Sequence, residues 1–157
     1  MELEQVIDLL AAFEREGVQY VLIGSMAMAA QGLVRATRDV DCFVSAEPSN
    51  VERIKRALRA VFVDASIDEI SSEDLTGDYP VVQYGSPDGA FVIDLVARLG
   101  EAFEFNDIEF EELVVEGVTV RVATPRMLYE MKRDTVRPQD RLDAERLRER
   151  FGLKEDD

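Results

Sequence analysis

Between residues 20 and 44 the chain reads Tyr20-Val21-Leu22-Ile23-Gly24-Ser25 and then, after an intervening segment, Arg35-Ala36-Thr37-Arg38-Asp39-Val40-Asp41-Cys42-Phe43-Val44. The first run is apolar and ends at Gly-Ser, which predicts a strand turning into a helix over Met26 to Gln31 with Gly32 as its stop. The second alternates Asp39 and Asp41 against Val40, Cys42 and Val44, the period-two signature of a strand with unlike faces over residues 39 to 44. On such a strand the two carboxylates emerge on one face with Cα atoms about 6.6 Å apart, from about 3.3 Å rise per residue. Two like charges so close repel unless a cation neutralises them. Oxygen donors without His or Cys suit Mg²⁺ or Mn²⁺ rather than zinc. The competing explanation is a solvated strand edge, or pairing with Arg35 and Arg38.

Outward from this unit, Leu3, Val6, Ile7, Leu10 and Phe13 recur at helical spacing before Gly17, predicting an amphipathic helix over residues 2 to 16. Pro48 opens a second helix with Val51, Ile54, Leu58 and Val61 on one stripe, and Arg53, Lys55, Arg56 and Arg59 mostly on the rest. Residues 64 to 78 hold six acids, no base and no clear period, the composition of a mobile or variable connection that could equally hold a short strand. Tyr79 to Tyr84 and Ala90 to Ala97 flank Ser86-Pro87-Asp88-Gly89 and predict a hairpin. Residues 112 to 115 and 118 to 122, around Glu116-Gly117, predict another; the stretch from 101 to 111 carries no assignment. Thr124-Pro125 is an N-cap followed by Pro at the first helical position, launching a helix to about Asp134. Pro138 opens a last helix ending near Gly152, with a fraying tail at Glu155-Asp156-Asp157.

The 157 residues carry 46% hydrophobic and 32% charged side chains, a globular composition rather than a disordered or membrane one. With 18 Lys and Arg against 33 Asp and Glu, the net charge of −15 disfavours non-specific nucleic-acid binding. The chain has no histidine and a single cysteine, Cys42, so neither an internal disulfide nor a thiolate zinc cage is available. Its chemistry rests on carboxylates, hydroxyls, Lys and Arg. The first residues lack a basic leader ahead of an apolar core, and no run approaches eighteen apolar residues, so a cytoplasmic protein without a membrane partner is expected.

Asp94 lies inside Phe91-Val92-Ile93-Asp94-Leu95-Val96, the most hydrophobic strand, where a carboxylate without compensation is costly to bury. Should this strand lie beside that of Asp39 and Asp41, three acids converge and a divalent cation is the natural neutraliser; a salt bridge to a nearby Arg is the alternative. Gly24-Ser25, between a strand and a helix, offers backbone N–H groups and close approach, which together favour a phosphate. Many such turns are Gly-Ser for geometry alone.

Gly24-Ser25, followed by Arg35-x-Thr37-Arg38-Asp39-x-Asp41 and a single later Asp94, resembles the DNA polymerase beta-like nucleotidyltransferase superfamily. Lys132-x4-Arg137-x2-Asp140-x2-Asp143 resembles the closing motif of its smaller bacterial AbiEii-like branch. The likeness spans roughly residues 18 to 147, with 64 to 78 unmatched and the substrate-binding extension of larger members missing. It implies an α+β nucleotidyltransferase fold, a short twisted mixed β-sheet with helices packed on it and a C-terminal helical pair at about 125–151, as a single domain over 1–157. It further implies NTP-dependent, two-metal transfer of a nucleoside monophosphate. Asp39, Asp41 and Asp94 would be catalytic and would hold Mg²⁺ or Mn²⁺; Gly24, Ser25, Arg38 and Lys132 would bind the nucleotide. For Lys132 the alternative is a solvated helix lysine.

Seven bases among residues 132 to 150 make the charge uneven, but Arg141 with Glu145, Asp143 with Arg146 and Glu145 with Arg148 stand at ion-pair spacing. Three function classes follow: a nucleotidyltransferase, as a toxin-antitoxin component with an antitoxin partner, acting on RNA, a protein or a small molecule; an aminoglycoside- or lincosamide-type antibiotic nucleotidyltransferase, whose acidic cleft would attract a cationic drug; and a catalytically silent nucleotide- or partner-binding module. Homo-oligomerisation would replace the surface lost with the larger members' extension.

Overall fold

A computed structural model of the chain describes residues 3–33, 40–89, 91–99, 103–133, 135 and 137–154. Arg35, Thr37, Arg38, Asp39, Asp134 and the tail from Glu155 lie outside these residues. In chain order the elements are α1 (Leu3–Glu16), β1 (Tyr20–Ile23), α2 (Gly24–Ala30), β2 (Val40–Val44), α3 (Pro48–Val61), β3 (Val81–Gly85), β4 (Val92–Val96), β5 (Arg98–Leu99), β6 (Phe103–Glu104), β7 (Phe110–Val115), β8 (Val118–Ala123), α4 (Pro125–Lys132) and α5 (Pro138–Phe151).

Six strands form one mixed sheet in the order β3-β4-β2-β1-β8-β7, while β5 and β6 pair separately. β1 runs antiparallel to β2 and parallel to β8; β2 runs parallel to β4; and β3/β4 and β7/β8 are the two antiparallel hairpins expected from their turns. The parallel β2/β4 pair demands a long crossover, and α3 with the following loop and β3 supplies it.

Period-two alternation gives β1 and β2 two faces with different duties. Tyr20, Leu22, Cys42 and Val44 share one face, where Leu22 meets Leu3, Val6, Ile7 and Leu10 of α1. The Phe13 and Tyr20 rings stand 5.1 Å apart at a tilted angle, a favoured arrangement of aromatic quadrupoles. Phe13, Tyr20, Leu22, Ile54, Leu58 and Ile93 are at most 1% exposed, and their burial is the main driving force of this layer. Asp41, Ile23 and Val96 belong to the other face, where they border the Leu128 and Met131 side chains of α4.

Buried polar groups set the register of this arrangement. Asn50, 1% exposed in the first turn of α3, accepts from the Gln19 N–H at 2.7 Å and donates to the carbonyls of Gln19 at 3.1 Å and Ser45 at 2.8 Å. One side chain thereby ties the start of β1 to the end of β2. The Tyr20 hydroxyl donates to Glu14 at 3.1 Å and accepts from the Arg121 N–H at 3.2 Å, linking α1, β1 and β8.

Residues 64 to 78 depart from expectation, for they fold into two 3-10 turns, Ala65–Glu69 and Ser72–Leu75. Ile67, Ile70 and Leu75 are buried in the core, and their burial outweighs the acidic composition of the segment. Asp64 accepts from the Ser66 N–H at 2.9 Å and from the Tyr84 hydroxyl at 2.9 Å, which clips the segment to β3. Lys55 is a second departure: it is 9% exposed and donates to the Asp68 carbonyl at 3.2 Å instead of projecting into solvent. The stretch left unassigned contributes β6 and a 3-10 turn, Phe105–Asp107. Thr124 caps α4 as expected, accepting from the Met127 N–H at 3.1 Å, and α5 ends at Gly152. No described helix is long and apolar enough to cross a membrane.

Candidate functional site

Sheet register brings the site together. Ile23 lies opposite Asp41, Asp41 opposite Asp94, and Asp94 opposite Gln83, so residues from β1, β2, β4 and β3 form one row across the sheet. Cross-strand partners share a face, and neighbouring strands lie about 4.8 Å apart. Asp41 and Asp94 are therefore adjacent, same-face carboxylates although 53 residues separate them in the chain. Both are partly exposed, at the rim of an otherwise apolar core. Asp39 and Arg38 lie outside the described residues.

Gly24, where β1 turns into α2, fits this row closely. Its φ of +70° lies in the left-handed region. A Cβ placed there would collide with the Asp41 carboxylate oxygen and lie 3.2 Å from the Asp41 Cβ and Cγ. Only a residue without a side chain lets the turn lie directly against Asp41. The helix begins at Gly24 itself, so Ser25 stands in its first turn rather than before it, and it is partly exposed beside the same end of β2.

Gln83 was not legible as a site residue. Its Nε2 donates to Asp94 Oδ1 at 3.0 Å, extending the polar row to the edge strand. Counting back from the Ser86–Gly89 turn does place Gln83 beside Asp94, but that count needs the hairpin register, which the turn alone does not fix. Cys42 points away from the carboxylates, between Leu22 and Leu95, and is fully buried. Desolvation first, and the Asp41 charge second, push its thiol well above the usual range, so it is no nucleophile here.

A cavity of about 280 Å³ adjoins the row, walled by Ile23, Val96, Leu128 and Met131 and edged by Gly24, Asp41, Lys132 and Thr135. Lys132 is not a solvated helix lysine: its ammonium lies 3.3 Å from Asp140 Oδ1 and 3.0 Å from Asp143 Oδ2. Asp143 is wholly buried and also accepts from the Gln139 amide at 3.0 Å, while Thr135 Oγ1 donates to Asp140 Oδ2 at 3.1 Å. The Lys132-Arg137-Asp140-Asp143 motif is thus a polar clip joining α4 to α5 on the cavity wall, with Arg137 3.8 Å from Asp140. Of the expected helix-surface pairs, Glu145 with Arg148 forms at 2.9 Å, whereas Arg141 Nε donates to the Thr135 carbonyl at 3.2 Å.

Among the described residues no three acidic or thiol side chains gather closely enough to cage a metal ion by themselves. The donor chemistry nevertheless fits a hard divalent cation, because Asp41 and Asp94 are in-register carboxylate oxygen donors on one face of the sheet.

Among solved structures, the Thermotoga maritima protein TM1012 is similar with a TM-score of 0.58 and 16% identity, over 97% of this chain and 93% of that one. The lincosamide antibiotic adenylyltransferase LnuA, solved with lincomycin, gives 0.59 and 13% identity, over 94% and 97%. ANT(2'')-Ia, solved with adenylyl-2''-tobramycin, gives 0.54 and 15% identity, over 92% and 85%. At these identities the likeness is one of fold, the nucleotidyltransferase fold. No curated protein matches the chain in sequence. A family model described as nucleotidyl transferase AbiEii toxin, type IV toxin-antitoxin system, matches residues 8–150. With the carboxylate row, the Gly-Ser turn and the closing motif all inside that span, the chain belongs to the AbiEii nucleotidyltransferase toxin family.

Proposed function

We propose that the chain moves a nucleoside monophosphate from an NTP to an acceptor hydroxyl, and that Asp39, Asp41 and Asp94 hold the Mg²⁺ or Mn²⁺ the reaction uses. The observation that carries this reading is the in-register Asp41 and Asp94 pair with Gly24 packed against it. A cation held there offsets the charge of the triphosphate and of the departing pyrophosphate.

The chain's own residues supply the rest. Gly24 keeps the turn bare, so that phosphate oxygens approach the backbone beside Asp41, and Ser25 with the neighbouring amides binds the β- and γ-phosphates. Asp94 takes the proton of the acceptor hydroxyl as its oxygen bonds to the α-phosphorus and the bond to the bridging oxygen breaks, releasing pyrophosphate. The Lys132 ammonium, two of whose N–H groups go to Asp140 and Asp143, offers its third to a phosphate oxygen; Arg38 completes the phosphate set. Ile23, Val96, Leu128 and Met131 exclude water from that side. Membership of a type IV toxin-antitoxin family makes an antitoxin the expected partner.

Incubation with each labelled NTP and Mg²⁺, against cell RNA, protein extract, aminoglycosides and lincosamides in separate arms, tests the proposal and identifies the acceptor. Label transfer that disappears in Asp39→Ala supports it. Nucleotide binding without transfer in every arm would leave a binding module instead.

A further inference from the structure

Gln83 is the one uncharged member of the polar row formed with Asp41 and Asp94, and its hydrogen bond is directed at a carboxylate rather than at backbone. We propose that Gln83 is a positioning residue for Asp94, whose amide holds one carboxylate oxygen and so fixes the orientation in which the carboxylate meets a divalent cation shared with Asp41; this rests on the metal-dependent reading above.

Three observations support this role. Gln83 and Asp94 are register partners on antiparallel strands, so strand geometry already points both side chains to one face, and the 3.0 Å contact needs no unusual excursion. Gln83 lies on the edge strand and is exposed, which leaves it no packing duty. Finally, the chemistry of the amide suits the task. Asp94 needs a donor to restrict its rotation, but a Lys or Arg donor would neutralise the charge that attracts a cation and would compete with it for the same oxygens. A Gln donor occupies one oxygen, Oδ1, and leaves the Asp94 carboxylate charged. A Glu in its place would remove the donor and add a third like charge to the row.

The test is Mn²⁺ binding to the full chain by calorimetry, without nucleotide, in wild type, Gln83→Leu, Gln83→Lys, Asp41→Asn and Asp94→Asn, with thermal melting of each in chelator. Gln83→Leu is expected to melt as wild type does while binding Mn²⁺ about three- to tenfold more weakly, because the Asp94 side chain must then be immobilised as the cation binds. Gln83→Lys is expected to abolish binding. In turnover titrated with Mg²⁺, Gln83→Leu should raise the Mg²⁺ concentration needed for half-maximal rate and, once Mg²⁺ is saturating, leave the KM for NTP near wild type. Unchanged Mn²⁺ affinity in Gln83→Leu, with binding lost in Asp41→Asn and Asp94→Asn, would overturn the role of Gln83 and leave the proposed function standing. Absence of Mn²⁺ binding in wild type at millimolar concentration would overturn both.

Discussion

Replacing Gly24 by alanine separates the backbone cost of a left-handed residue from the specific demand of the carboxylate row. Gly17 supplies the matched control, because its φ of +69° nearly equals the +70° of Gly24, yet a Cβ at Gly17 meets nothing within 4 Å. The left-handed conformation costs an L-residue about 1–2 kcal/mol, so Gly17→Ala should lose about that much. At Gly24 the methyl group would also strike the Asp41 carboxylate. Turning that side chain away from its preferred rotamer costs about 0.5–1.5 kcal/mol more. With about 2–4 °C in Tm per kcal/mol for a chain of this size, Gly24→Ala should melt roughly 1–6 °C below Gly17→Ala. Mn²⁺ binding and nucleotidyl transfer should survive in Gly17→Ala and be lost in Gly24→Ala, whose Asp41 no longer stands beside Asp94. Equal melting temperatures with Mn²⁺ binding retained in both variants would refute the claim that Gly24 is held by its contact with Asp41.

Two further outcomes follow from the charge network and the core. Asp143→Ala should destabilise the chain by about 1–3 kcal/mol, since it takes a wholly buried acceptor from the Lys132 ammonium and the Gln139 amide and leaves Lys132 with Asp140, whereas removal of the exposed Glu145 partner of Arg148 should change stability little; urea unfolding of the two variants measures the contrast. Because burial holds the Cys42 thiol protonated in the folded state, its contribution to stability is complete below the ordinary thiol pKa of about 8.5 and declines as pH rises past it. The urea midpoint should therefore fall between pH 8 and pH 9.5 by more in wild type than in Cys42→Ala, and equal falls would contradict the assignment.

Local chemistry was legible where a few adjacent residues decide the conformation. Thr124-Pro125 starts α4, the Ser86-Pro87-Asp88-Gly89 turn joins β3 to β4, and alternation around Asp41 gives a strand with one charged face. The acid pair itself could be named from the sequence, because a carboxylate within the apolar run around Asp94 requires compensation. Features that depend on distant partners could not be read. Composition alone made residues 64 to 78 look mobile, since their order comes from Ile67, Ile70 and Leu75 entering a core built mostly by other segments. The sequence offers Lys132 as a nucleotide-binding residue or a solvated helix lysine, and its ion pairs with Asp140 and Asp143 depend on how α5 packs on α4. Gln83 and Asn50 carry no sequence signal of their own, as each acquires its role from strand register.

The carboxylate pair is most directly tested by melting wild type and Asp94→Asn in chelator and again in millimolar Mn²⁺. A bound cation stabilises the folded state by mass action. Asp94→Asn is therefore expected to gain nothing from Mn²⁺, while wild type rises with it. A variant that rises with Mn²⁺ as much as wild type does would show that Asp41 and Asp94 do not form a shared cation site.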